Sequence, residues 1–290
     1  MNETNMTQVI IETLNSIFSQ FFTSIDTNVY SLLDELVFIG QDFLEDSYLE
    51  KLLGTSSSNG LLLIANSLLI GFILYYAISL LLSHITFSPQ EHPLKFFFKI
   101  VLLGIFLNSC YSICEGLLFF TSSFSSAIRE VGESILGKEI CFSSLIQELN
   151  DSLILGENSF NIFSFEGLLK GFMSFGLFQL LFSYALRYVM LKVFLLLSPF
   201  AFLTISNAKT SWIFKSWARC LFSLLFTQVF ISIILLITFS ADFSDNLFSQ
   251  LLYVGCIYAL IRANHSIREL IGGISTSVDG QLLQLKSFLK

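Results

Sequence analysis

From Arg219 to Phe239 the chain reads RCLFSLLFTQVFISIILLITF, with no charge after the first residue. Hydrocarbon offers no partner for a backbone N–H or C=O. A run this long is therefore stable there only as a helix that satisfies its own peptide groups. About 20 such residues match the roughly 30 Å apolar thickness of a bilayer. The same kind of stretch occurs at least four times along the chain, which predicts a polytopic, all-α membrane protein. Composition agrees: 54% of residues are hydrophobic and 13% charged, where a soluble chain carries about 25% charged. With only three prolines, long helices are left uninterrupted. The repeated segments of about ten alternating residues that mark a membrane barrel are missing. The net charge of −7 argues against a soluble nucleic-acid binder, which needs a basic patch.

Charge sets the expected layout. Residues 1–59 combine an amphipathic helical spacing (Ile10, Leu14, Ile17, Phe21, Ile25, Val29, Leu33, Val37) with nine acids against Lys51, and end in GTSSSNG, a flexible break. The opening MNETNMTQ lacks a basic region, so the first span is expected to act as its own insertion signal. Spans one and two occupy 60–120, at about 60–83 and 100–120, and a loop between them carries Lys95 and Lys99. Residues 121–166 read as a Ser-rich, acidic region outside the membrane. The stretch 167–261 holds spans three to five, with a Pro-broken re-entrant or interfacial element at about 195–210. Residues 262–290 read as an amphipathic tail. The segment 167–206 is readable as one crossing or two. The positive-inside rule weighs Lys and Arg near span ends. A single crossing puts Lys95/Lys99, Arg187/Lys192, Lys209/Lys215/Arg219 and Arg262/Arg268/Lys286/Lys290 on one side, and both acidic regions on the other. The expectation is thus about five spans, N-terminus outside and C-terminus cytoplasmic. No internal repeat of the kind that marks many secondary transporters is evident.

No catalytic constellation stands out. His84, His92 and His265 do not supply the three or four convergent ligands of a metal site. The five cysteines lack CxxC spacing, and Gly272–Gly273 lacks the lysine of a phosphate loop. We therefore expect no enzyme, no cofactor and no metal. Polar residues inside spans are more informative, because an ionisable side chain there is costly. Arg187 lies one to two turns from the end of span three, where it either snorkels to headgroups or takes a pairing or pore-lining role. Glu115 is expected near the outer end of span two, neutral or paired with a cation. Asn66, Asn108, Gln179 and Gln228 are able to hydrogen-bond between helices. Trp212 and Trp217 are expected at the interface, and Lys209, Lys215 and Arg219 against anionic headgroups.

The segment from Arg187 to Gln228 resembles the TrbL family, which includes the VirB-six-type subunits of bacterial type IV secretion and conjugation systems. The resemblance rests on an arginine late in a long span (Arg187) and an L-S-P-F-A turn at Leu197–Ala201 around Pro199. Thr210, the W-x-R of Trp217–Arg219 and the tail IRELIGGISTS at Ile267–Ser277 add to it. It covers about 90 residues closely and the remainder by layout. It implies a non-enzymatic channel or platform subunit of the inner membrane that helps move DNA or protein substrates, or helps build a pilus. Its implied partners are further copies of itself, cytoplasmic ATPases, periplasm-facing channel proteins and the lipid bilayer. Arg187, Pro199, Trp217 and Arg219 become the sensitive positions, none of them catalytic. The alternative is a stand-alone transporter or ion channel.

Overall fold

In the computed structural model the residues described are 9–10, 13, 16–17, 20, 32–40, 43–44, 46, 47–54, 59–86, 92–145, 165–206, 210–240 and 247–271. Most of the amphipathic stretch 1–31, the middle of the GTSSSNG break, the outer region 146–164, Lys209 and the tail 272–290 lie outside them. Among the described residues the fold is helical, with no strand. In chain order the helices are α1 (Ser47–Leu53), α2 (Leu61–Thr86), α3 (Pro93–Asn108) and α4 (Cys110–Leu136), then α5 (Phe165–Leu196), α6 (Ser198–Leu203), α7 (Ser211–Ser240) and α8 (Leu247–Ile271). The segments 32–37 and 142–145 add short helical turns.

Among the described residues three helices are long and apolar enough to cross a membrane: Leu61–Ser83, Phe175–Leu196 and Ser211–Ser240. A fourth is the pair α3–α4 if it counts as one span, bent by 58°. The protein is thus a helical membrane protein with three to four candidate spans, where the sequence led to five. The difference lies in α8, whose apolar part covers only Leu251–Ala263, short of the roughly 20 residues a bilayer needs.

The core is α7, with α4, α5 and α8 packed around it. Helix direction follows from contacts at successive levels. Thr121 meets Gln228, Ser125 meets Ser232, and a Cβ on Gly132 would touch Leu236, so α4 and α7 run parallel. Arg187 meets Leu224 and Trp217 meets Phe194, so α5 runs antiparallel to both. Helices α2 and α3 form an antiparallel hairpin, joined at Asn66–Asn108 and by the stacked rings of Tyr76 and Phe96. The hairpin leaves α4 at Ser109. Asn108 and Ser109 favour local side-chain bonds over helix continuation, and the Asn108 amide donates to Gly104 O at 2.8 Å.

Two expected boundaries differ. The helix that begins at Cys110 does not stop near residue 120, where the apolar run fades. It continues to Leu136, because Thr121, Ser125 and Gly132 extend its buried edge against α7. The layout from charge also sets residue 60 opposite 197–206. In the structure Leu62 and Ala65 pack with Phe200, Leu203 and Ile205 in one cluster. Hydropathy gives the length of α2 but not the end of the bundle at which it starts.

The stretch 167–206 is one continuous helix through Arg187 and Lys192 to Leu196, then α6 and a 3-10 turn at Thr204–Ser206. Pro199 stands in the first turn of α6, where a missing N–H is tolerated. Its absent N–H would have served Leu195 O, which accepts the Ser198 hydroxyl at 2.7 Å instead.

Candidate functional site

The centre of the molecule is occupied by the chain's own early segment. The described residues 32–40, 43–44 and 46 run between α4, α5 and α7 as a strap. Leu33 and Val37 sit in one apolar cluster with Phe142, Leu180, Tyr184 and Ile231, and Ile39, Phe43 and Leu44 in a second with Leu191, Leu195 and Leu224. This accounts for the apolar spacing at Leu33 and Val37, read from sequence as a feature of a region outside the membrane. It faces the bundle's interior.

Five sets of polar contacts fix the strap. Asp34 accepts from Phe142 N at 2.8 Å, Ser143 N at 3.0 Å and the Ser143 hydroxyl, and so caps the turn 142–145. Arg187 is fully buried, at 0% exposure, and its Nη1 donates to Val37 O at 3.0 Å and its Nε to Leu224 O at 2.8 Å. Val37 ends the helical turn 32–37. Its carbonyl is one of those a helix terminus leaves without an internal partner, and a cation there also meets the negative end of the dipole. Gln228 reads the next peptide: its Oε1 accepts from Ile39 N at 3.2 Å while its Nε2 donates to Thr121 Oγ1 at 3.2 Å. The Tyr111 hydroxyl donates to Leu44 O at 3.0 Å. At the end of the strap Lys192 pairs with Asp46 at 2.7 Å, and Phe43 meets the Tyr188 ring edge-on.

The Lys192 ammonium and the Tyr48 backbone N–H hold the Asp46 carboxyl below its ordinary pKa. This pair also corrects the charge layout. The acidic region 1–59 was placed opposite Lys192, yet its Asp46 touches that lysine. A count of basic residues near span ends gives no weight to an acid that folds back into the bundle.

The positions singled out by sequence fall in different places. Arg187 neither snorkels nor lines an open face; it donates to two backbone carbonyls. Pro199 is buried in α6. Trp217 is packed: its Nε1 donates to Phe194 O at 2.8 Å, in the last turn of α5, and its ring lies against Phe202 and Phe214. Arg219, two residues on and so across the helix, is exposed, as is Trp212. Glu115 is exposed in the second turn of α4, near its start rather than at an outer end. Asn66 and Asn108 bond each other and Gln228 joins two elements, whereas Gln179 is exposed. Pro199 and Trp217 thus lie at the end of α5, Arg187 is buried nine residues before it, and Arg219 and Glu115 are exposed.

Sequence reasoning missed Asp34, Thr121, Ser125, Ser232 and Tyr111. A signal existed for three of them. Thr121 and Ser125 on α4, and Gln228 and Ser232 on α7, recur at four-residue spacing within apolar runs, the pattern of facing helices joined by hydrogen bonds. The Ser125 and Ser232 hydroxyls lie 2.7 Å apart. Among the described residues no group of three His, Cys, Asp or Glu is placed to hold a metal ion, and all five cysteines are free thiols.

The chain matches no protein-family model, no curated protein and no solved structure.

Proposed function

We propose that this protein is a non-enzymatic channel or platform subunit of a bacterial type IV secretion system, resident in the inner membrane, which assists passage of DNA or protein and assembly of the complex. Support comes from the residues that carry the TrbL-like pattern. Trp217 and the turn around Pro199 pack at the end of α5, and Arg187, nine residues before that end, ties α5 to Val37 and to Leu224 of α7. A pattern retained for packing would look like this. No nucleotide-binding motif occurs in the sequence, so partner ATPases supply the energy.

A C-terminus in the cytoplasm, with the region after α4 outside, belongs to the same proposal. The outside placing of residues 1–59 does not, because the start of α2 packs beside α6 and Asp46 pairs with Lys192. Its partners are other secretion subunits, cytoplasmic and periplasm-facing, and further copies of itself.

The experiment is a mild-detergent pull-down of the C-terminally tagged chain from its native host, with partners identified by mass spectrometry. Recovery of secretion ATPases and periplasm-facing channel subunits is the expected result. Recovery of the chain alone, with those neighbours intact in the lysate, overturns the proposal in favour of a stand-alone transporter or ion channel.

A further inference from the structure

The strap is held in the manner of a bound peptide. Three side chains of the surrounding helices address its main chain: Arg187 Nη1 donates to Val37 O, Gln228 Oε1 accepts from Ile39 N, and the Tyr111 hydroxyl donates to Leu44 O. Main-chain groups are common to all residues, so such bonds supply affinity while pockets for side chains supply selectivity. Leu33 and Val37 enter one apolar cluster, and Ile39, Phe43 and Leu44 a second. A carboxylate is fixed toward each end, Asp34 by the turn 142–145 and Asp46 by Lys192. The ligand this cleft suits is an acidic, apolar peptide.

The surrounding helices are joined to one another by bonds that do not pass through the strap. Helix α4 is tied to α7 by the Ser125 and Ser232 hydroxyls and by Gln228 Nε2 donating to Thr121 Oγ1. Helix α5 is tied to α7 by Arg187 Nε on Leu224 O and Trp217 Nε1 on Phe194 O, and to α8 by the Tyr184 hydroxyl donating to Leu260 O at 3.1 Å. Between the strap and α2 lies the GTSSSNG break, which begins at Gly54, the left-handed residue (φ +85°) that ends α1. The cleft thus keeps its walls, and the strap has a hinge behind it.

We infer that the cleft between α4, α5 and α7 is a peptide-binding site, and that the strap is its exchangeable occupant, bound in cis. The strap is a ligand by the same features that fix it: a helical turn with two apolar anchors, an extended piece read at its main chain, and a carboxylate toward each end. The inference goes beyond the secretion reading and needs none of its partners.

The test uses the full chain, purified in mild detergent, with a protease recognition sequence inserted between Ser56 and Ser57. After cleavage, a fluorescent synthetic peptide of residues 32–53 is added in excess. It is expected to displace the severed segment and to leave the remainder monodisperse on gel filtration. It is expected to bind the cleaved chain about tenfold or more tighter than the uncut chain, where the tethered strap competes at high effective concentration. A peptide carrying Asp34→Ala is expected to bind about fivefold more weakly, through loss of one cap, and a scrambled peptide not at all. Retention of the severed segment without exchange over a day, or aggregation of the remainder once that segment leaves, makes the strap a fixed part of the core and overturns the inference. Departure of the segment with no uptake of the peptide, or equal uptake of the scrambled peptide, overturns it as well. These readouts use the purified chain alone, so their failure is distinct from a failed pull-down.

Discussion

Arg187 shows what a single residue contributes here. Truncation to alanine leaves Val37 O without its donor and opens a cavity at a fully buried position. Each orphaned buried group costs about 1–3 kcal/mol. Arg129 instead lies half-buried with its guanidinium 4.0 Å from the centre of the Phe38 ring, a contact worth about 0.5–1 kcal/mol. Arg187→Ala is therefore expected to lower the thermal midpoint in detergent, and to impair complex assembly, more than Arg129→Ala. Equal effects would remove the case for a buried role. Gln228→Leu keeps the volume but strips Ile39 N–H and Thr121 of their partner, with an expected loss of about 1–2 kcal/mol in the same assay. Arg187 stands out in the sequence, since ionisable residues in spans are rare, but the sequence leaves open whether it snorkels or pairs inside. What it binds was not legible there. The acceptor is a backbone carbonyl 150 positions earlier, and a carbonyl is the same in every residue.

Individual elements were legible wherever hydropathy or proline defines them: the long runs of α2, α5 and α7, and the break around Pro199. The strap was not. Its apolar periodicity is the same whether the helix lies on a membrane or inside its own bundle, and only the complementary groups on α5 and α7 decide. Helix α4 was cut short because its later turns are held by a narrow buried edge of small residues rather than by bulk hydrophobicity. Gly132 tests that edge. A Cβ there would lie 2.0 Å from Ile140 Cδ1 and 2.5 Å from Leu236 Cδ1, while at Gly116 it would meet nothing within 4 Å. Gly132→Ala should destabilise by about 1–3 kcal/mol through overpacking. Gly116→Ala should be neutral or stabilising by up to about 1 kcal/mol through helix propensity. The thermal midpoints of the two variants are the check.

The junction of strap and α5 has a pH signature. Asp46 is held below its usual value mainly by Lys192. Its contribution is therefore fully present above the ordinary aspartate pKa of about 3.9. It is lost only as pH falls through the lowered value. Protease access to residues 41–58 is expected to be flat from pH 7 to about pH 5 and to rise only in stronger acid. In Asp46→Asn it should already be raised at pH 7 and converge with the parent only in strong acid; a rise already between pH 7 and pH 5 in the parent would assign the strap's hold to another group.

For the molecule as a whole, topology is the measurable property. A reporter fused after Lys290 is expected in the cytoplasm, and one inserted at Asn150, beyond the packed turn 142–145, outside. Both on one side would sink this layout. The class of the fold followed from composition and run length, because a bilayer leaves few options for a backbone. The packing of α2 beside α6 did not, since charge counting ranks sides of a membrane and says nothing of neighbours within it.

The strap also imposes an order on biogenesis. Its residues leave the ribosome before the groups that hold them, and the latest of these, Gln228, follows Ile39 by 189 positions. At about 5–20 residues per second of synthesis, that interval is roughly 10–40 s. For that time an acidic, apolar segment has no home in its own chain, and the insertion machinery or a chaperone must shelter it until the last helices close.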